Sequence, residues 1–196
     1  MNKDKGLLVI LSSPSGGGKT TVIKKMVEEK NNDYAYSISM TTRPIREGEI
    51  DGRDYLFVGH AEFEDMIEAG RFIEYERVHD WYYGTPKASI LQWLGQGKTV
   101  LLDLDVMGAL RLKKKFGKKA LLIFLKPPSE EILRRRLEER STETPRQIAR
   151  RLERVAAEMA KADEFDVIIV NEDLEKTIRQ VKKEIQQKRM FSHMEV

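Results

Sequence analysis

The chain has 196 residues, 40% hydrophobic and 34% charged, a balance that excludes a disordered chain and a membrane-embedded one. It has no cysteine, which removes disulfides, thiolate metal sites and cysteine nucleophiles and suits a reducing compartment. Lys and Arg number 35 against 32 Asp and Glu, for a net charge of +3, so bulk attraction to nucleic acid is not indicated and functional positive charge must be local.

Lys3 and Lys5 precede the apolar run Leu7–Leu11, but that run ends in a Gly/Ser loop rather than a small-residue cleavage site. It reads as a first buried strand, followed by a helix over Thr20–Lys30. Residues 37–87 are rich in Gly, aromatic and charged residues, with a strand-like Tyr55–Val58 and a helical Glu62–Ala69, and read as an inserted α+β lobe. A helix over Pro86–Leu94, a strand over Thr99–Leu104, a helix over Val106–Phe116 and a strand over Ala120–Leu125 follow. Residues 126–161, dense in Arg and Glu and opening with a helix over Ser129–Arg140, read as a second, mobile insertion. A strand at Val167–Val170 and a helix over Asp173–Arg189 close the pattern, and the last residues read as a frayed end. Continuously apolar strands alternating with helices predict an α/β fold of three layers on a mainly parallel sheet. The core is then 1–36, 88–125 and 162–196. No run approaches the roughly 18 apolar residues of a spanning helix, and a soluble, cytoplasmic protein is expected.

Ser13-Pro14-Ser15-Gly16-Gly17-Gly18-Lys19-Thr20 links the first strand to the first helix. This is the phosphate-loop pattern G-x-x-x-x-G-K-[ST] with Ser13 in place of the first glycine. Its glycines turn successive N–H groups into one concavity at a helix N-terminus. Lys19 reaches the β- and γ-phosphates in this reading, and the Thr20 hydroxyl joins a Mg²⁺ shell. Val100 to Asp105 is an apolar strand ending in two acids, and Asp103 is a second candidate for that shell, directly or through water. Together these features indicate use of a nucleoside triphosphate and leave the second substrate open.

Two helices carry arginines close to apolar stripes. Arg136 and Arg140 fall on the arc of Ile132, Leu133 and Leu137, and Arg151 flanks Ile148, Leu152, Val155 and Met159. Phosphate contacts and surface ion pairs both satisfy that spacing. Trp81 and Trp93 read as packing aromatics, His79 as structural, and Lys113–Lys115 with Lys118 and Lys119 as a solvated helix end. The three histidines, His60, His79 and His193, are too scattered for a metal cluster.

The segments Ser37–Glu49, Asp51–Tyr55, Phe72–Tyr75 and Tyr82–Thr85, taken with the phosphate loop, closely resemble guanylate kinase, from the first strand to Val170-Asn171-Glu172-Asp173. The resemblance implies transfer of the γ-phosphoryl group of ATP to GMP with Mg²⁺. It makes 37–87 the GMP-binding lobe and 126–161 the lid. It implies an ATP site of Ser13, Pro14, Ser15, Gly16, Gly17, Gly18, Lys19, Thr20, Thr21, Arg136 and Asn171, the last near adenine. It implies a GMP site of Arg43, Arg46, Tyr55 and Tyr83 on the phosphate and Ser39, Glu74 and Thr85 around guanine. Asp103 falls near guanine in the family, against the metal role read from the strand, and both roles stay open. Lys19, Arg43, Arg140 and Arg151 become the catalytic cations. Departures are Ser13, the order Arg43-Pro44-Ile45-Arg46, Met107 and Ser141. The partners implied are small molecules alone, in a monomer or homodimer. Two other classes keep parts of the pattern. One is a non-catalytic interaction module of the same fold, and the other a related kinase of a phosphorylated sugar.

Overall fold

The computed structural model describes residues 6–14, 16–29, 33–78, 80–138, 152 and 154–194. The central sheet joins β1 (Leu7–Ser12), β2 (Tyr34–Tyr36), β7 (Thr99–Asp103), β8 (Ala120–Lys126) and β9 (Val167–Val170) in the order β2-β7-β1-β8-β9. Every pairing in it is parallel. Parallel strands need covering on both faces, and alternate residues accordingly enter two separate cores. Leu8, Ile10, Val100, Leu102, Leu122 and Phe124 pack on one side with Ile90 of α3 (Lys87–Gly95) and Ala109 and Leu112 of α4 (Val106–Phe116). Leu7, Val9, Leu11, Leu101 and Ile123 pack on the other with Val22, Ile23 and Met26 of α1 (Lys19–Glu28) and Ile178, Val181 and Ile185 of α7 (Leu174–Met194). The chain runs from β1 towards β2 on one side and later to β8 on the other, so a crevice opens at the carboxyl end of β1.

A second sheet carries β3 (Met40–Thr41), β4 (Leu56–Phe57), β5 (Phe72–Val78) and β6 (Trp81–Pro86) in the order β4-β3-β6-β5. The composition pattern gave only Tyr55–Val58 as a strand here. β3 and β4 are two residues long, and β5 and β6 are interrupted by charged, polar and glycine residues, so none presents a continuous apolar run. The covered face packs Met40, Phe72 and Tyr82 against Phe63 of α2 (His60–Glu68), whose ring stacks on Phe72 and Tyr82 at 4.4 and 5.2 Å. The other face holds the polar residues described below.

After β8 come α5 (Glu130–Glu138), with Ser129 accepting the Ile132 N–H at 3.2 Å, and a further helix, α6, described over 154–159. The last helix runs past the frayed end expected from the sequence. Arg189 donates to Thr99 Oγ1 at 2.7 and 3.0 Å and to the Gly97 carbonyl at 2.9 Å, which ties the helix to the start of β7. The lysines at the end of α4 are likewise more than a solvated cluster. Lys113 pairs with Asp166 at 2.8 Å, and Lys115 donates to the Ile73 carbonyl at 3.1 Å.

Candidate active site

The loop after β1 turns on two glycines with positive φ, Gly16 at 85° and Gly18 at 89°. The Gly17 N–H donates to the Pro14 carbonyl at 2.9 Å. Ser13 is buried beneath the loop and donates its hydroxyl to the same carbonyl at 3.0 Å. A Cβ on Gly17 would come within 2.5 Å of Ser13 Oγ, so the serine that departs from the pattern is accommodated by a glycine opposite it. Asn171, placed near adenine by resemblance, lies behind the loop: its Nδ2 donates to the Gly17 carbonyl at 2.7 Å, and its Oδ1 accepts from Thr177 at 3.0 Å. It braces the phosphate loop against the start of α7.

Lys19, Thr20 and Thr21 open α1. Thr20 donates to Asp103 Oδ2, and Lys19 Nζ lies 3.5 Å from Asp103 Oδ1. Asp103 therefore closes the β7 side of the phosphate loop. Its charge is also felt by Tyr36 of β2 and by Tyr55 of the lobe. Burial and then the Asp103 charge push Tyr36 well above its ordinary value, and the same two causes push Tyr55 up to about 12. Asp105, the other acid of the pair, caps α4 by accepting the Gly108 N–H at 2.7 Å. Among the described residues no group of three or more His, Cys, Asp or Glu is placed to hold a metal.

The open face of the second sheet gathers the rest. The Thr41 hydroxyl accepts the Arg43 N–H at 3.2 Å and fixes the exit from β3. Arg43 is buried, with its guanidinium above Tyr55 and Phe57 at 5.3 and 5.6 Å from the ring centres. It forks onto Glu49 at 2.8 and 2.9 Å, and Glu49 also accepts the Arg46 N–H at 2.8 Å. Burial alone would raise the Glu49 carboxyl, but the hydrogen bonds from Arg43 and Arg46 carry it below its usual range. The Arg46 side chain is exposed at the rim, and Tyr83 meets Tyr55 edge-on at 6.1 Å. Along the same face Thr85 donates to Glu74 Oε1 at 2.7 Å. Extending the pairing of Met40 with Gly84 by one residue sets Ser39 opposite Thr85. Burial pushes the Glu74 carboxyl up, which Thr85 and Arg111 counter and Asp105 and Glu76 reinforce.

Ser15, Arg140 and Arg151 lie outside the described residues, and Arg136 falls on α5 with its side chain outside them. Between α5 and α6, Pro127, Leu133, Leu152, Val155 and Met159 line a cavity of about 300 Å³. Arg154 reaches Asp105 at 3.4 Å and Glu158 at 3.0 Å. Sequence reasoning also missed Glu49, Arg111 and the Lys24–Asp54 ion pair that joins α1 to the lobe. Their signals are single charges in charge-rich surroundings, without spacing to set them apart.

The model of the guanylate kinase family matches residues 5–188. The chain belongs to that family. It is 40% identical over 188 residues to the guanylate kinase of the Wolbachia of Brugia malayi, covering 96% of each chain. It is 45% identical over 174 residues to that of Onion yellows phytoplasma, covering 89% of this chain and 82% of that one. The crystal structure of guanylate kinase from Anaplasma phagocytophilum superposes with a TM-score of 0.81 at 34% identity, covering 97% and 89% of the two chains. The chain is accordingly a P-loop kinase, and neither the interaction module nor the sugar-phosphate kinase is favoured. Among the described residues no helix is long and apolar enough to cross a membrane.

Proposed function

We propose that the chain transfers the γ-phosphoryl group of ATP to the phosphate of GMP, giving ADP and GDP. The observation that carries this reading is the position of Asp103, against Lys19 and Thr20 on one side and electrostatically coupled to Tyr55 on the other. A triphosphate cradle and a polar sheet face thereby share one crevice.

On this reading the loop Ser13–Gly18, Lys19, Thr20 and Thr21 hold the donor phosphates, with Arg136 beside them and Asn171 behind. Arg43, Arg46, Tyr55 and Tyr83 hold the acceptor phosphate, two guanidiniums and two phenols matching a dianion. Glu49 leaves Arg43 pre-aimed rather than free to wander. Glu74 accepts from guanine N1–H and N2–H₂ while Ser39 donates to O6, and Thr85 fixes the Glu74 carboxylate. Adenine lacks that donor pair and leaves a buried carboxylate unmatched. Residues 37–87 act as the GMP lobe and 126–161 as the lid, bringing Arg140 and Arg151 to the moving group.

The Thr20 hydroxyl and Asp103 carboxylate are adjacent hard oxygens at a phosphate cradle, a donor set that fits Mg²⁺, with Asp103 acting directly or through water. Bound there, Mg²⁺ supplies charge neutralisation for the phosphate oxygens. The acceptor is already an anion near neutral pH, so no general base is required, and catalysis is alignment plus charge compensation. Lys19 and the lid arginines meet charge on the transferred group, and Arg43 and Arg46 offset repulsion between two anions. Closure of lobe and lid excludes water as an acceptor. On the same reading the protein acts in the cytoplasm as a monomer or homodimer, with nucleotides rather than nucleic acid or membrane as partners.

A coupled ADP-release assay offering GMP, AMP, UMP and a sugar phosphate tests the reading. Turnover confined to GMP is expected, with Lys19→Met inactive but folded. Near-normal activity of that variant, or preference for another acceptor, refutes it.

A further inference from the structure

We propose that Arg111 is a positioning and specificity-determining residue for the acceptor base. It reaches from the polar face of α4 across to the lobe sheet and holds Glu74 as the charged, fixed acceptor that guanine requires. The inference rests on the guanine-reading role of Glu74 given above.

The geometry converges on one guanidinium. Arg111 Nη2 lies 2.7 Å from Glu76 Oε2 and 3.7 Å from Glu74 Oε2. Glu74 and Glu76 are two residues apart on β5 and point to one face. Asp105 arrives from the start of α4. A Cβ on Gly108 would meet Asp105 Oδ1 at 3.2 Å, Glu74 Oε2 at 3.3 Å and Arg111 Nη2 at 3.7 Å. The bare glycine thus leaves room for three carboxylates beside Arg111, of which Asp105 also meets Arg154 at 3.4 Å while Glu74 and Glu76 lie against Arg111. The groups facing Glu74 are Thr85 from β6, Glu76 from its own strand, and Asp105 and Arg111 from α4.

Three clustered acids, one of them buried, do not all stay ionised without a cation. A protonated Glu74 would turn an O–H towards guanine N1–H and lose its match to the base. Arg111 offsets this from 3.7 Å, beyond hydrogen-bond reach of Glu74 Oε2, so it supplies charge without taking the lone pairs that the base needs. Its pairing with Glu76 fixes where the charge sits. Arg111 also belongs to the core while Glu74 belongs to the lobe, so the base-reading carboxylate is correctly charged only when the two are apposed.

The test is GMP affinity by calorimetry from about pH 5 to about pH 8 for wild type, Arg111→Gln, Arg111→Lys, Glu76→Gln and Glu74→Gln. Ionisation of the GMP phosphate is common to all five and cancels in the differences. Deprotonated Glu74 binds guanine, so affinity is lost as pH falls through its pKa. Removing Arg111 moves that loss upward by about one pH unit, weakening GMP about tenfold on the acid side. Arg111→Lys restores most of it. Glu76→Gln, which removes a like charge and frees Arg111 for Glu74, moves it the opposite way. IMP lacks the 2-amino group, and the GMP to IMP affinity ratio narrows in Arg111→Gln. A purely structural role would move none of these in opposite directions. Superimposable profiles for Arg111→Gln and wild type overturn the inference if Glu74→Gln has abolished the acid-side loss. Persistence of that loss in Glu74→Gln overturns the Glu74 reading itself.

Discussion

Replacing Glu49 with Gln tests whether the acceptor arginine is aimed by the protein or by its substrate. The wild-type carboxylate receives three hydrogen bonds, from Arg43 at 2.9 and 2.8 Å and from the Arg46 backbone at 2.8 Å. Glutamine keeps one acceptor and turns an NH₂ towards a guanidinium N–H. At least one charge-assisted bond is lost, worth about 1.5–3 kcal/mol, and Arg43, 7% exposed, loses its counter-charge. Breaking a fully buried pair costs about 3–5 kcal/mol, but the Glu49 side chain is 20% exposed, so the cost falls below that range, at about 2–3 kcal/mol. Urea unfolding reads that loss directly. Of this, about 2 kcal/mol expressed as misalignment of Arg43 raises the KM for GMP about thirtyfold in the coupled assay. The carboxyl lies below its ordinary value of 4.5 in the folded state. Its stabilisation is therefore full above that value and fades as pH falls through the folded pKa, so the variant lacks this acid-side increment. The competing idea is that Glu49 restrains a cation that would otherwise grip phosphate better. A lower KM for GMP in the variant, or unchanged urea stability, refutes the pre-aiming argument.

Two further outcomes follow from the same contacts. Gly17→Ala sets a Cβ 2.5 Å from Ser13 Oγ, and overpacking of about 1–3 kcal/mol distorts the loop and raises the KM for ATP. Ser13→Gly in the same chain restores most of the loss, and a double variant as defective as Gly17→Ala alone contradicts the packing account. Asp54 is held well below the usual carboxylate range, first by Lys24 and then by the Ile50 N–H. Its contribution is complete above the ordinary value of 3.8 and disappears as pH falls through the folded pKa. Asp54→Asn should flatten the acid side of a thermal unfolding profile, and slopes parallel to wild type would show that the core–lobe pair is unimportant.

The layers of the core were legible because strands covered on both faces leave unbroken apolar runs. Leu7–Leu11 and Ala120–Leu125 carry no alternation to confuse the reading. The phosphate loop was legible because its chemistry is local: the glycines, Lys19 and Thr20 are contiguous. The acceptor side was legible only as a motif. Arg43 could be named, but its partner Glu49, six residues on in a loop without periodicity, could not. Arg111 sits on the polar face of α4, where an arginine needs no explanation until Glu74 and Glu76 are seen opposite. Arg189 ends the helix expected from the sequence, where nothing marks it out, and its value is in the backbone it reaches at Gly97.

The strand that carries Glu74 shows why alternation fails where function is concentrated. A regular β5–β6 ladder starting from Phe72 opposite Pro86 would put Ile73 opposite Thr85 and Glu74 opposite Gly84. Glu74 would then point into the aromatic layer, since a Cβ on Gly84 would meet Phe63 and Phe72 at 2.8 Å. The register instead shifts by one residue between Phe72 and Glu74. That bulge lets Phe72 stay under α2 while Glu74, two residues later, emerges beside Thr85 on the opposite face. The extra residue has its own use: Ile73 joins the main core cluster with Ile90 and Leu104, and its carbonyl accepts from Lys115 of α4. One irregularity therefore anchors the lobe to the core and turns the base-reading carboxylate out of the hydrophobic layer. The run Phe-Ile-Glu resists a period-two reading because its first two residues are buried in different cores.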